Sequence, residues 1–423
     1  MPKHTLSDPP PDSGVVFKKQ WDVWEKHIHS FVELSKSADQ TQNDVSDKEH
    51  VDLSDVTVAV KDIIDVAGLR TRNGSAACCS AAPAKKDAPV VASLRAAGAR
   101  IVGKTTTTEF AFTDPTDCRN PYDTHRTPGG SSSGSGAAVT AGLVDIALGT
   151  QTAGSLIRPA AYCGVVGFKP THGVLSTNGI TPLAPSFDTV GIIAKSVKFA
   201  ERAFAAMHAS YVPRKDQDLS GLSAIASLFP IETGIASEAL AAFQDAKKSL
   251  KQTVGQTQNS DVLANVDRIV ANHRLVMNFE AFAKHRGLLA GRRWKLLQPK
   301  FLAGLRAGEA TAQFEFDNAV FELAEATKMF WEHLSNVDIV LTLPVPDGAP
   351  LIDGTTGFQD WLTPWTVFGG PLITLPWGLD SLGRPRAVML AAHPHHDNVL
   401  LAMASALEKL APPLPPPSSP SGG

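Results

Sequence analysis

The sequence predicts an α/β fold with at least partly parallel strands, and three observations carry that expectation. The β-branched run VTVAV (56–60) is followed by a helix-like stretch, Ala88–Ala97, and then by a second apolar run, Ala99–Gly103. Strand, helix and strand in alternation is the sequence mark of parallel pairing. Residues 235–335 are mostly helical by pattern, as in EALAAFQDAKKSLK and FDNAVFELAEATKMFWEHL, before β signals return at VDIVLTLPVP (337–346) and PLITLPWG (371–378). Pro128–Ala194 holds only four charged residues among 67 (Asp145, Arg158, Lys169 and Asp188), against 19% charged for the whole chain. Its apolar runs AAVTAGLVDIALGT and YCGVVGF need burial, so it reads as core rather than linker.

Taken in order, residues 1–14 and the tail APPLPPPSSPSGG from Ala411 read as disordered by composition. Phe17, Trp21, Trp24, Ile28 and Phe31 recur at steps of four, three, four and three, the period of an amphipathic helix packed on a core. After the polar stretch 35–50, VTVAV reads as a buried strand ending at Lys61, and Gly98 as the C-cap of the helix that follows. The 12 Gly and 14 Ser/Thr of Pro128–Ala194 suit a core whose loops bring backbone and hydroxyls close together.

Composition narrows the function classes. With 39 Lys+Arg against 42 Asp+Glu the net charge is −3, which argues against a nucleic-acid binder resting on clustered bases. The cysteines at 78, 79, 118 and 163 have neither zinc spacing nor the density of a secreted disulfide framework. The N-terminal residues lack an apolar signal core, and no apolar run approaches the roughly 20 residues of a membrane span. A soluble, reduced, cytoplasmic protein is expected.

Three motifs match by pattern and fail by context. Gly98–Thr105 fits the phosphate-cradling G-x-x-x-x-G-K-[ST], but a helix precedes Gly98 and the intervening residues are strand-like. Gly130–Gly134 fits the G-x-S-x-G elbow, yet the loop residues RNPYDTHRTPG stand where that elbow requires a strand. His393, His395 and His396 with Asp397 read better as a polar turn capping a helix near Asp397 than as a metal site.

What remains is Lys61 at a strand end, the loop GGSSSGSGAAVTAG (129–142) and the segment GTQTAGSLIRPAAYCGVVGFKPT (149–171). Together they resemble the amidase signature family, whose mark is a GGSS-G-S loop followed some two dozen residues later by G-T-x-T-x-G-S and G-x-K-P-T. The resemblance extends to VAVKDIIDVAGLRTRNGS, VGKTTTTEFA and DIVLTLPVPDGAP, and so touches most of residues 55–410. It implies a three-layer α/β/α fold around a large mixed sheet, in a single domain over 15–410. A helical insertion at about 200–335 is expected to cover one side of the site.

Carried over position by position, Ser155 resembles the family's nucleophile, Ser131 its bridging serine and Lys61 its base. Chemistry allows these roles: a serine hydroxyl needs an adjacent base, and lysine serves only if desolvation lowers its pKa toward neutrality. The bridging serine follows a cis peptide in the family, which here would be Gly130–Ser131. Thr152, Ala153, Gly154 and Ser155 would offer backbone N–H groups as an oxyanion hole. Gly130, Ser132 and Thr150 would support these groups from behind, and Ser133 reads as loop filler. No metal and no organic cofactor is implied.

One departure concerns Arg158. The commonest family pattern places arginine two residues after the nucleophile; here it stands three after, which resembles malonamidase, a small-amide member in which that arginine holds a substrate carboxylate. Arg158 would then anchor a short acidic amide by bidentate pairing; the other reading is that it ties down a loop through backbone carbonyls. Arg384 and Arg386 also depart from the family pattern and leave the pocket open. The reading is hydrolysis of a small amide through a Ser155 acyl-enzyme. An aryl amide, urea or carbamate stays open. So do one component of a multi-chain amidotransferase for charged tRNA and a catalytically dead binding protein. No nucleic-acid or membrane partner is expected for the hydrolase, and a homodimer is left open.

Overall fold

The computed structural model describes residues 15–35, 51–214, 219–230, 234–255, 257–259 and 265–420. Residues 1–14 and most of the polar stretch 35–50 lie outside them. The first helix, α1 (Val15–Ile28), buries Phe17, Trp21, Trp24 and Ile28, as the spacing predicts. Phe31 does not extend that helix. His29, at φ 51°, breaks it, and Phe31 opens β1 (Phe31–Leu34), from which its ring still reaches Trp21 at 5.6 Å.

The expected strand–helix–strand unit forms as β2 (Thr57–Lys61), α2 (Pro89–Ala96) and β3 (Arg100–Thr105), with β2 and β3 parallel and Lys61 opposite Thr105. Pro89 starts α2, where a missing N–H costs nothing, and Gly98 turns the chain at φ 94° just past its end. The charge-poor segment supplies α3 (Ser133–Thr140), β4 (Ile146–Gln151), α4 (Ile157–Cys163), β5 (Val166–Lys169) and β6 (Thr189–Ala194). Every residue of these three strands is buried, so both sheet faces are covered here.

Next come α5 (Val197–Met207), β7 (Ala224–Ala226), α6 (Ser237–Val254), β8 (Thr257–Asn259), α7 (Val266–His285), α8 (Pro299–Ala310) and α9 (Gln313–His333). The stretch expected as a helical insertion thus also gives two sheet strands. Three-residue strands are too short to show a period in sequence. The chain closes with β9 (Ile339–Thr342), α10 (Thr363–Val367), β10 (Leu372–Leu379), β11 (Pro385–Ala391) and α11 (Asp397–Glu408).

The eleven strands form one mixed sheet in the order β1-β3-β2-β4-β6-β5-β10-β11-β9-β7-β8. β2 pairs in parallel with β3 and β4, whereas β4–β6, β5–β6 and β5–β10 are antiparallel. α3 packs on α4 over the middle of the sheet, while α2, α5 and α11 form a second packed group, giving helical layers on a central sheet.

Two contacts fix the helical stretch relative to the sheet. Asp114 accepts the N–H groups of Lys300 (2.9 Å) and Phe301 (2.8 Å), and Glu109 accepts that of Gln298 (2.5 Å), so the orphan donors at the start of α8 are satisfied from a distant loop. An aromatic cluster of Phe229, Phe330, Trp365 and Phe368, with Phe330 stacked on Phe368 at 3.7 Å, locks α9 against α10. The tail from Ala411, read from composition as disordered, has neither helix nor strand over 411–420, and Tyr122 Oη donates to Pro415 O at 2.9 Å. Among the described residues no helix is long and apolar enough to cross a membrane.

Candidate active site

Lys61 ends β2 with no solvent exposure. Parallel pairing of β2 with β4, Val60 opposite Leu148, brings Lys61 and Thr150 to the same end of the sheet. There Lys61 Nζ donates to Ser131 Oγ at 2.7 Å and to Thr150 Oγ1 at 2.8 Å. Burial disfavours the ammonium and lowers the Lys61 pKa to about 7, the buried carboxylate of Asp188 opposing the shift.

The glycine-serine loop folds around this lysine. Gly129 has φ 83°, a conformation that favours glycine, and the Gly130–Ser131 peptide is cis, the geometry the resemblance implies. The Ser131 carbonyl accepts from Thr108 N at 3.3 Å, and Ser132 N donates to the Ser155 carbonyl at 3.1 Å, which joins the two serine segments. Ser132 Oγ bridges the N–H and C=O of Thr150 at 3.3 Å each, against Gly149, where a Cβ would stand 2.8 Å from that oxygen. Ser133 is more than filler: its hydroxyl closes the loop on Gly129 O at 2.7 Å.

Ser155 is 7% exposed, in the turn between β4 and α4. The turn is braced on several sides. Gln151 Oε1 accepts the N–H groups of Leu156 (3.1 Å) and Ile157 (3.0 Å), and Thr152 Oγ1 donates to Asp188 Oδ1 at 2.5 Å. The carbonyls of Thr152, Ala153 and Gly154 accept from His273 Nε2 (2.7 Å), Thr366 Oγ1 and Arg158 N (3.1 Å) respectively. The N–H groups of Ala153, Gly154 and Ser155 find no acceptor among the described residues. A cleft reaches Thr150 and Thr152, walled by Ile63, Ile180, Leu183 and Val190.

Arg158 is 1% exposed, and its Nη2 donates to Gly130 O at 2.6 Å and Thr356 Oγ1 at 3.3 Å. It therefore does brace the serine loop. Its Nε and Nη1 have no partner among the described residues, and burial lowers its pKa only to about 10, so it stays protonated near neutrality.

Sequence reasoning did not find His273, Thr366 or Gln151. His273 belongs to α7 and is 3% exposed, and burial lowers its pKa to about 4. Its only signal was a histidine in a helical pattern. Asp188 was visible as one of four charges in a charge-poor segment, though its place beside Thr152 was not.

None of the three rejected patterns has the structure its motif requires, although Gly130–Gly134 lies within the site itself. Lys104 sits within β3, where its Nζ lies 3.1 Å from Asp62 in a sealed ion pair. No strand leads directly into Gly130. His393 Nε2 bonds Leu334 O, while Asp397 starts α11 and accepts from Thr171, and no group of three metal-capable side chains occurs among the described residues. Arg384 pairs with Asp347 and Asp380, and Arg386 Nη1 donates to Glu238 O.

Comparison with known proteins agrees with this architecture. A glutamyl-tRNA(Gln) amidotransferase subunit from Natronomonas pharaonis is 36% identical over 272 residues, 59% of this chain and 63% of the relative. Amidase 1 of Arabidopsis thaliana is 46% identical over 157 residues, 36% of this chain and 37% of the relative. The chain thus spans less than two thirds of the length of these curated relatives. A crystal structure of an amidase superposes with a TM-score of 0.84 at 25% identity, covering 94% of this chain and 95% of that one. The amidase family pattern itself runs over residues 17–401, from α1 into α11, so the chain belongs to the amidase family.

Proposed function

We propose that the protein hydrolyses the C–N bond of a small amide through an acyl-enzyme on Ser155. The observation that carries this reading is the buried hydrogen bond from Lys61 to Ser131, beside the turn that holds Ser155. A lysine near pKa 7 is neutral in a large fraction of molecules at neutral pH and can take a proton. Ser155 Oγ attacks the amide carbon; its proton passes to Ser131, and the Ser131 proton passes to Lys61 Nζ. The unpartnered N–H groups of Ala153, Gly154 and Ser155 receive the charge on the carbonyl oxygen. The C–N bond then breaks as the same relay returns the proton to the leaving nitrogen. Water, deprotonated through the relay, cleaves the ester and releases the acid.

Arg158 supports a narrower reading. Its Nη2 is committed to Gly130 O, whereas Nε and Nη1 have no partner among the described residues, and either can donate a hydrogen bond to a substrate carboxylate. A short amide bearing an acidic group is accordingly the preferred substrate. A second reading, one component of an amidotransferase, draws on the similarity to the Natronomonas pharaonis protein and requires a partner chain.

The test is a panel of short acidic, neutral aliphatic and aromatic amides, with release of ammonia or amine as readout. Wild type should turn over at least one class and Ser155→Ala none. Arg158→Lys keeps one donor for Gly130 O and should cost acidic amides about tenfold more than neutral ones. Full activity of Ser155→Ala would overturn the mechanism. Equal losses across the panel in Arg158→Lys would overturn the carboxylate reading. Turnover only with a co-purifying chain would favour the second reading.

A further inference from the structure

The carbonyls of Thr152, Ala153 and Gly154 accept hydrogen bonds from three different elements. His273 Nε2 comes from α7, Thr366 Oγ1 from α10 and Arg158 N from α4. Each of these peptides is trans, so a carbonyl and the N–H of the next residue point in opposite directions. Holding the Thr152 carbonyl toward His273 turns the Ala153 N–H away from His273. Holding the Ala153 carbonyl toward Thr366 does the same to the Gly154 N–H, and the Gly154 carbonyl does so for Ser155. None of these three N–H groups finds an acceptor among the described residues.

The two side-chain anchors are themselves fixed. A carbonyl oxygen can only accept, so His273 carries its proton on Nε2, and its ring lies 4.3 Å from Phe187. Thr366 sits between Trp365 and Phe368 of the aromatic cluster, and its Oγ1 also accepts from Gln151 Nε2 at 3.0 Å. Resting on the proposed amidase reading, we propose that His273 and Thr366 are positioning residues for the oxyanion turn. They set the direction of two N–H donors by gripping the opposite ends of their peptides. Such donors act on charge that develops only in the transition state, so misaiming them lowers kcat far more than it raises KM.

The experiment compares wild type with His273→Phe, Thr366→Val and Thr366→Ser on whichever panel amide wild type turns over. It reads kcat and KM, the affinity of a simple boronic acid that forms a tetrahedral adduct with serine, and the thermal unfolding midpoint. His273→Phe and Thr366→Val should each lower kcat by about 10- to 100-fold with KM within about threefold. The boronic acid should weaken in parallel, and Thr366→Ser should recover most of kcat. If wild type turns over amides and the folded variants keep its kcat, or lose it only through KM, the inference fails and the amidase reading stands. A wild type without amide turnover overturns that reading and the inference with it. If one variant does not unfold cooperatively the other decides; failure of both to fold makes the residues structural and overturns the proposal.

Discussion

Lys61 Nζ stands 2.7 Å from Ser131 Oγ, and neither side chain is exposed to solvent. The pair spans 70 residues of sequence and is assembled by the end of β2 and the glycine-serine loop. Its burial is what turns a lysine into a candidate base, because the same desolvation that costs stability depresses the pKa.

A pH limb should follow. Only neutral Lys61 can accept a proton, so kcat/KM should rise with pH, with a midpoint near the lysine's value of about 7, and fall tenfold per unit well below it. Lys61→Met should lower kcat/KM by about 10²- to 10⁴-fold and remove the limb. A pH–rate profile of both proteins checks this.

Glu25 predicts a different pH effect, on stability. It is buried, accepts from Ser30 Oγ at 2.5 Å and Phe31 N at 2.8 Å, and burial raises its pKa from 4.5 to about 7. The folded state therefore binds this proton more tightly than the unfolded state. The associated stabilisation is complete below pH 4.5 and is lost as pH rises through about 7. Glu25→Gln should flatten the change in unfolding midpoint across that window.

The Asp62–Lys104 pair, 3.1 Å apart and sealed, should behave as a coupled unit. Asp62→Asn or Lys104→Met alone leaves a buried partner uncompensated and should cost about 3–5 kcal/mol. The double variant should lose much less than the sum. Urea unfolding of the three proteins measures the coupling.

Gly134 is where the chain tolerates least bulk near the serine loop. A Cβ there would collide with Ser30 O and stand 2.5 Å from Thr106 N, two groups that are hydrogen-bonded to each other. Gly134→Ala should cost about 1–3 kcal/mol or more and lower the denaturation midpoint.

The contrast between Ser131 and His273 shows what sequence could and could not reveal. Lys61, Ser131, Ser155 and Arg158 stand in dense local patterns, because a turn built of small residues constrains its own neighbours. The carbonyl anchors leave no such pattern. His273 meets Thr152 across 121 residues and Thr366 meets Ala153 across 213, and a backbone oxygen places no demand on its own side chain. The four charges of Pro128–Ala194 were a better clue than their number suggests. Arg158, Lys169 and Asp188 prove buried or nearly so, and Asp145 ties Thr57 to Lys195. Of the fold, the alternation of β2, α2 and β3 was legible. Phe31 was misread because its side chain still points at the face of α1 after the backbone has left the helix.

The most direct test of the Lys61–Ser131–Ser155 relay is the rate and site of labelling by a serine-directed fluorophosphonate, followed by peptide mapping across pH. One adduct is expected, on Ser155, at a rate rising with pH around a midpoint near 7 and largely abolished in Lys61→Met. An adduct on another residue, or labelling of Ser155 at an unchanged rate in Lys61→Met, would contradict the relay.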